Sequence, residues 1–387
     1  MPSPERIAVE LITDAEEANG QAIPLNYVTL ESAKGDCVIL RDLLDGDEIT
    51  LQPRIVVNAG GPWIDQVNNK LSADTRYIGG TKGSHVILNH PQLRAAIGEN
   101  EFFFENKDGR IVLIYPIADK VLVGTSDIKI DNPDDAVITD EEINYFFDMI
   151  GRVFPEISVN HSQIVFTFSG VRPLPYSDVG FTGQISRDHK IELLERDREH
   201  SYPVLSLVGG KWTTFRAFAE KTTDQVLASL GQSRRRSTVG VKIGGSHDYP
   251  ATDAEKRKWL GGLLPKYPID RDRLETLFSQ YGTKVVDLLD MVGEKASIMV
   301  DQLPSISIGE VEYLLQTEDV VHLDDLIFRR TMLSKLGQIT PGRLQSLAVI
   351  CADILGWSDE TRLKEVERVN DILRTKHKMV NNQFIGD

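Results

Sequence analysis

The spacing of hydrophobic residues changes once along this sequence, across residues 232–250. Before that stretch most apolar runs are short and typical of strands, whereas after it they recur at helical spacing, as in 308–315 and 344–355. The stretch itself joins a basic run to paired glycines, a composition that is typical of a linker. We therefore predict an α+β region over residues 1–231, a linker over 232–250 and an all-α C-terminal domain over 251–387.

The length of 387 residues suits two domains, and the composition excludes several classes of function. A net charge of -15 argues against a nucleic-acid partner, because phosphate backbones select basic faces. Cys37 and Cys351 belong to no cluster of cysteines or histidines, so we expect neither a disulfide framework nor a metal site. No apolar stretch approaches the roughly 20 residues that span a bilayer, and residues 1–6 do not resemble the apolar region of a signal peptide. We expect a cytoplasmic protein, at most peripheral on the cytoplasmic membrane.

The first region opens with a helix that Pro4 can start and Gly20 can end. Because the sequence begins almost inside this helix and natural domains seldom start so abruptly, we expect further sequence upstream. An antiparallel meander should follow, since three strand-like runs are separated by turn residues. These runs are 25–32, 36–42 and 48–52.

A different kind of strand is predicted at residues 55–57. This short run is apolar throughout, which is typical of a buried strand in a parallel sheet with a ligand at its carboxyl end. Residues 77–207 then read mostly as strands. The exception is a helix whose start is marked by a capping box of Thr139 and Glu142.

Two glycine-rich turns follow predicted strands. In the first, Gly60 and Gly61 allow the backbone to approach a ligand closely and Pro62 fixes the exit, although an ordinary tight turn explains the same residues. The second turn combines bare backbone amides, a cation and two hydroxyls where a strand gives way to a helix, which favours binding of an anion. Its residues are Gly209, Gly210, Lys211, Trp212, Thr213 and Thr214.

Two further side chains are candidates for chemistry. His85 begins an apolar strand and is a possible general base near neutral pH, although a hydrogen-bonded strand histidine is an equally good interpretation. Arg172 follows the strand 164–168 in a segment bracketed by glycine and proline. Such a guanidinium suits bidentate recognition of a phosphate or carboxylate, and a structural ion pair is the alternative.

The sequence contains no Gly-x-Gly, so the dinucleotide-binding fingerprint is absent from these 387 residues. Lys211 also lacks the earlier glycine of a phosphate-binding P-loop. We therefore expect that the chain alone does not hold an adenine dinucleotide at a helix N-terminus.

Five segments occur in an order that resembles the FAD-dependent glycerol-3-phosphate dehydrogenases. They are VVNAGGPW at 56–63, KGSH at 82–85, GTSD at 124–127, SGVRPL at 169–174 and GGKWTTFR at 209–216. The resemblance extends over roughly residues 4–370 and includes the helical C-terminal domain. It implies an incomplete FAD-binding fold of the glutathione-reductase/D-amino-acid-oxidase type with an antiparallel substrate-domain sheet.

The resemblance also implies an activity. Such enzymes oxidise sn-glycerol 3-phosphate to dihydroxyacetone phosphate and pass electrons to quinone, or to oxygen in the oxidase branch. On this pattern Arg172 and Lys211 hold the substrate, while His85, with an ordinary pKa near 6.5, takes the proton of the C2 hydroxyl. FAD would contact the two glycine-rich turns, at Gly60, Gly61, Pro62, Trp63, Gly209, Gly210, Lys211, Trp212, Thr213 and Thr214.

The chain departs from the family pattern in two ways. Trp212 and Phe215 stand where leucine and tyrosine are commoner, and the family's GxGxxG segment should precede residue 1. We therefore expect a fragment that is inactive alone, with membrane-surface association and a homodimer as further family-based expectations. Two alternatives stay open, namely a related FAD-dependent oxidase of hydroxy or amino acids and a non-catalytic binding or assembly module.

Overall fold

A computed structural model describes residues 3–106, 109–177, 188–196 and 201–386. Its helices are α1 Pro4–Ala18, α2 Ile64–Lys70, α3 Pro91–Ile97, α4 Asp140–Val153, α5 Phe215–Ser229, α6 Asp253–Leu263, α7 Arg271–Tyr281, α8 Val285–Val292, α9 Ile308–Thr317, α10 Pro341–Leu355 and α11 Asp359–His377. A helical C-terminal region is thus confirmed, whereas the linker over 232–250 and the two domain bounds stay predictions.

The strands of the described residues form five sheets. They are β1 Val28–Lys34, β2 Cys37–Asp42, β3 Glu48–Leu51, β4 Val56–Asn58, β5 Thr81–Leu88, β6 Phe102–Glu105, β7 Ile111–Ile117, β8 Lys120–Gly124, β9 Ile128–Lys129, β10 Ile164–Arg172, β11 Lys190–Leu194, β12 Val204–Val208, β13 Met299–Val300, β14 Leu303–Ser307, β15 Met379–Val380 and β16 Gln383–Phe384. Strands β1, β2 and β3 form the expected antiparallel meander.

A six-stranded antiparallel sheet dominates the first region. Its order is β10-β5-β8-β7-β6, and β9 also pairs with β5. Helix α4 packs Ile143, Phe146 and Ile150 into the same core as this sheet. The helix starts where the sequence predicts, because the Thr139 hydroxyl caps the Glu142 amide and the Glu142 carboxylate accepts from the Thr139 amide. The expected antiparallel substrate-domain sheet is therefore confirmed.

The strand predicted at 55–57 lies at a sheet edge rather than inside a sheet. Strand β4 runs parallel to β12 in the order β11-β12-β4, so its parallel pairing agrees with the sequence pattern. Its burial does not agree, because Val57 is 41% exposed. No strand among the described residues pairs with the outer side of β4, and the sheet face that carries Val57 is open to solvent, whereas Asn58 on the opposite face is buried.

The region after the linker is mainly helical and adds only the short pairs β13-β14 and β15-β16. Its core is continuous with that of the six-stranded sheet: the buried hydrophobic residues of β5, α4 and α8 belong to one cluster. Helix α1 forms ion pairs with the C-terminal region, including Arg6 with Glu318 at 2.6 Å and Glu5 with Lys335 at 2.5 Å. The two regions therefore share an extensive packed interface. Among the described helices, none has both the length and the hydropathy needed to cross a membrane.

Candidate active site

His85 and Arg172 lie on one face of the six-stranded sheet. Strands β5 and β10 are antiparallel, with Phe168 opposite His85 and Arg172 opposite Thr81. Because side chains alternate along a strand, all four of these side chains point to the same face. Arg172 differs from the sequence prediction in one respect: it is the last residue of β10 and not part of a loop that follows residue 168.

Two glycines provide the space for these side chains. A Cβ atom on Gly83 would lie 2.4 Å from Nη2 of Arg172, so the guanidinium lies directly against the backbone of β5. A Cβ atom on Gly124 would lie 2.2 Å from Cδ2 of His85. Both distances are shorter than real Cβ contacts, which makes glycine necessary at each position unless the neighbouring side chain moves.

The Arg172 guanidinium is held by the segment that follows β8. Its Nη2 donates to the Thr125 hydroxyl at 2.9 Å, and its Nη1 donates to the Ser126 carbonyl at 3.2 Å. The same Nη1 lies 3.2 Å from Oδ1 of Asp127. The side chain is 25% exposed, so the fixed cation still reaches the surface of the site. A structural ion pair is the alternative interpretation of Arg172 from the sequence. The pair with Asp127 is present, and it orients the guanidinium.

His85 is neutral at physiological pH. Burial of the imidazole, and secondarily the positive charge of Arg172, lowers its pKa to about 4. The ring stacks on Phe168 with centroids 4.7 Å apart, and its Nδ1 is buried without a hydrogen-bond partner among the described residues. The pKa of His85 therefore lies well below the ordinary histidine value near 6.5. The neutral ring nevertheless retains an unused hydrogen-bonding position.

Lys211 lies in the turn after β12. The Gly209 amide at the start of this turn donates to the carbonyl of Pro173 at 3.1 Å, which links the turn to the residue directly after Arg172. Lys211 itself is exposed, and its backbone amide donates to the Thr214 hydroxyl at 3.3 Å. The backbone of the Lys211 turn therefore adjoins the end of β10.

The two glycine-rich turns lie at the same end of the small sheet β11-β12-β4, where the parallel strands finish. Parallel strands β4 and β12 both end there, and the turns leave from their carboxyl ends. Positive φ angles of 58° at Gly61, 76° at Gly209 and 110° at Gly210 favour glycine at these positions. Trp63 and Trp212 are 39% and 48% exposed, so each turn presents an indole to solvent.

A buried amide network shapes the first turn. Asn58 accepts from the Gly60 amide at 3.0 Å, and its Nδ2 donates to Asn68 at 2.7 Å. Asn68 in turn donates to the hydroxyl of Ser206 in β12 at 3.0 Å. Sequence reasoning missed these residues. A polar Asn58 directly after two valines was the available signal, because a buried amide needs partners.

Two family models match the chain. A model described as FAD dependent oxidoreductase matches residues 2–224, and one described as the C-terminal domain of alpha-glycerophosphate oxidase matches residues 236–362. A glycerol-3-phosphate dehydrogenase of Synechocystis sp. is 31% identical over 95% of this chain and 68% of its own length. The chain belongs to the FAD-dependent glycerol-3-phosphate dehydrogenase family.

Other relatives agree with this assignment. An aerobic glycerol-3-phosphate dehydrogenase of Staphylococcus aureus is 28% identical over 94% of this chain and 66% of its own length. The chain therefore spans about two thirds of the length of these relatives. A solved glycerol-3-phosphate dehydrogenase from Bacillus halodurans, complexed with FAD, has the same fold, with a TM-score of 0.79 and 23% identity over 96% of this chain and 73% of that one.

The family's cofactor is FAD, and the two turns fit one end of it. A Cβ atom on Gly61 would meet no atom within 4 Å, so the backbone there is open to a close approach. Exposed indoles and open backbone at the edge of a parallel strand pair suit a flat heterocycle with polar edges. The absent Gly-x-Gly means that the fit does not extend to the phosphates of the dinucleotide.

Proposed function

We propose that this chain supplies the substrate-binding surface and part of the flavin-binding surface for oxidation of sn-glycerol 3-phosphate to dihydroxyacetone phosphate. The observation that carries the proposal is the placement of the oriented Arg172 cation and the neutral His85 ring on one sheet face. One side chain suits a phosphate dianion, and the other suits a hydroxyl whose proton must be removed.

Arg172 and Lys211 have the role of binding and orienting the substrate. A planar guanidinium fixed by Thr125 and Asp127 can accept a phosphate in only a few orientations, which aligns the rest of the molecule. Lys211 adds a flexible second cation from the neighbouring turn. The Asp127 carboxylate neutralises part of the charge of Arg172, so the affinity for a dianion depends on both cations.

His85 has the role of accepting the proton of the C2 hydroxyl. Its low pKa keeps the imidazole unprotonated near neutral pH and therefore available as a base. The phosphate dianion bound beside Arg172 would offset the positive charge that lowers the pKa of His85. Substrate binding should therefore raise this pKa and strengthen the base in the complex that reacts.

The residues proposed to hold FAD are those of the two turns, with Gly61, Gly209 and Gly210 giving backbone access and Trp63 and Trp212 lining the approach. When bound, FAD supplies the acceptor for the hydride that leaves C2. The 387 residues contain no Gly-x-Gly, and we propose that they do not retain the flavin on their own.

Titration calorimetry with sn-glycerol 3-phosphate tests the substrate assignment. Replacing Arg172 by Lys keeps the charge but removes the planar fork, so affinity should fall about tenfold or more, as expected for one lost charge-assisted bond. Arg94→Lys is the matched control, because Arg94 is 22% exposed and also ion-paired. Glycerol without phosphate should not bind. Equal affinity for the two ligands, or equal loss in the two variants, would contradict the proposal.

The electron acceptor, membrane contact and assembly are further parts of the proposal. We propose quinone as the acceptor, as the resemblance to the FAD-dependent glycerol-3-phosphate dehydrogenases implies. The match to an alpha-glycerophosphate oxidase domain makes oxygen the competing outcome. Peroxide production, measured with a flavin-binding Gly-x-Gly segment joined before residue 1 so that FAD is retained, separates the two acceptors. Sedimentation with anionic lipid vesicles tests peripheral membrane contact, and light scattering tests a homodimer.

A further inference from the structure

A buried ion pair lies behind the sheet face that carries Arg172. Lys82 and Glu142 are 8% and 4% exposed, and their Nζ and Oε2 atoms are 2.7 Å apart. Lys82 precedes Gly83 in β5, so its side chain leaves the opposite face of the sheet from His85. It also donates to the carbonyl of Val137 at 2.7 Å. The pair is therefore fully embedded between the sheet and the start of α4.

Ser126 connects this pair to Arg172. Its hydroxyl donates to Oε1 of Glu142 and accepts from the Ser84 amide at 2.9 Å, and the residue is 1% exposed. The carbonyl of the same residue accepts from Nη1 of Arg172 at 3.2 Å. One buried residue thus bonds to the carboxylate on one side of the sheet and to the guanidinium on the other.

We propose that Lys82, Glu142 and Ser126 are positioning residues that fix the guanidinium of Arg172 through the segment 125–127. A buried ion pair can often be replaced by apolar residues at little cost to stability, so its energy alone gives no reason for its presence. The hydrogen bonds that Glu142 and Ser84 make with Ser126 give a reason for the presence of the ion pair. They determine where the Ser126 carbonyl lies, and the Thr125 and Asp127 side chains that flank it also bond to Arg172.

Only one part of the inference rests on the proposed function, namely the expected effect on binding of the substrate. If the segment 125–127 moves, the guanidinium loses acceptors and samples other orientations. A mobile cation must then be ordered each time a phosphate binds, which weakens binding. We expect Ser126→Ala, which leaves the ion pair intact, to weaken binding of sn-glycerol 3-phosphate roughly three- to tenfold.

The test uses the whole 387-residue chain and measures the mobility of the Arg172 guanidinium directly. Nitrogen-15 NMR of arginine guanidinium groups, with Arg172 assigned by its Lys variant, reports whether the Nη protons are held or exchange rapidly. In Ser126→Ala and in the double variant Lys82→Met/Glu142→Leu, the Arg172 signals should broaden and their protons should exchange faster. The apolar double variant keeps the packing volume but also removes the Glu142 bond to the Thr139 amide, so Ser126→Ala, which keeps that cap, separates positioning from loss of folding.

Glu310→Gln is the matched control. It breaks another buried ion pair, between Arg273 and Glu310, whose side chains are 7% and 3% exposed respectively. This variant should lose stability while leaving the Arg172 signals and phosphate affinity unchanged. Arg172 signals that stay sharp in Ser126→Ala and in the double variant would overturn the inference. Failure of the unaltered chain to bind glycerol 3-phosphate would contradict the proposed function, and the guanidinium signals would still decide the positioning role.

Discussion

Acidification should destabilise the folded chain through His85 before most carboxylates titrate. The pKa of His85 is lowered to about 4 in the folded chain by burial and by Arg172, against 6.5 for an ordinary histidine. Between these values the unfolded chain binds more protons, so the free energy of unfolding falls as the pH falls. From pH 7 to pH 5 this difference in pKa corresponds to about 2 kcal/mol.

Urea unfolding followed by circular dichroism at pH 7 and pH 5 measures this loss. The His85→Asn variant should lose about 2 kcal/mol less than the unaltered chain between the two pH values. The lowered pKa of Glu142 does not interfere, because stability from a carboxyl of this kind is lost only below its ordinary value. Other carboxyls are common to both proteins and cancel in the difference.

His377 provides a second, independent example of the same effect. Burial also lowers its pKa to about 4, although its Nδ1 bonds to the carbonyl of Thr167 and not to any group of the proposed site. His377→Asn should therefore reduce the acid-induced loss by a similar amount. If the unaltered chain and His85→Asn lose equal stability between pH 7 and pH 5, the imidazole is not desolvated beside Arg172 and the reasoning is refuted.

Three further outcomes are expected. Gly83→Ala should displace the Arg172 guanidinium and weaken glycerol 3-phosphate binding about tenfold, as measured by calorimetry. The control Gly170→Ala should leave binding unchanged, because a Cβ atom there would face open space. Equal effects of the two substitutions would contradict the close packing of Gly83 against Arg172. Limited trypsin digestion should cut first within the exposed residues 232–242. The two fragments should stay associated, because their hydrophobic residues share one core. Early cuts elsewhere would count against a linker at this position. The purified 387-residue chain should be colourless and should not retain added FAD on gel filtration; a stoichiometric flavin spectrum would contradict the reasoning from the missing Gly-x-Gly.

Local signals in the sequence were sufficient for much of the fold. The capping box of Thr139 and Glu142, and the turn residues between the strands of the meander, act between residues a few positions apart. Such patterns determine an element without reference to the rest of the chain. The family resemblance then added the larger arrangement, which the comparisons bear out.

Long-range contacts account for what the sequence could not predict. Glu142 follows Lys82 by 60 positions, and their pairing depends on how α4 packs against β5. The need for glycine at Gly83 and Gly124 arises from side chains on other strands. The pKa of His85 likewise depends on burial and on Arg172, which approaches through the β5-β10 pairing. None of these partners is adjacent in sequence, so no local pattern marks them.

The position of the substrate is the most direct test of the proposed site. A crystal structure of the chain grown with sn-glycerol 3-phosphate should show the phosphate against the guanidinium of Arg172 and the ammonium of Lys211, with the C2 hydroxyl directed toward His85. Phosphate bound instead at the exposed basic run 234–236, or a C2 hydroxyl directed away from the imidazole, would contradict the assignment of these three residues.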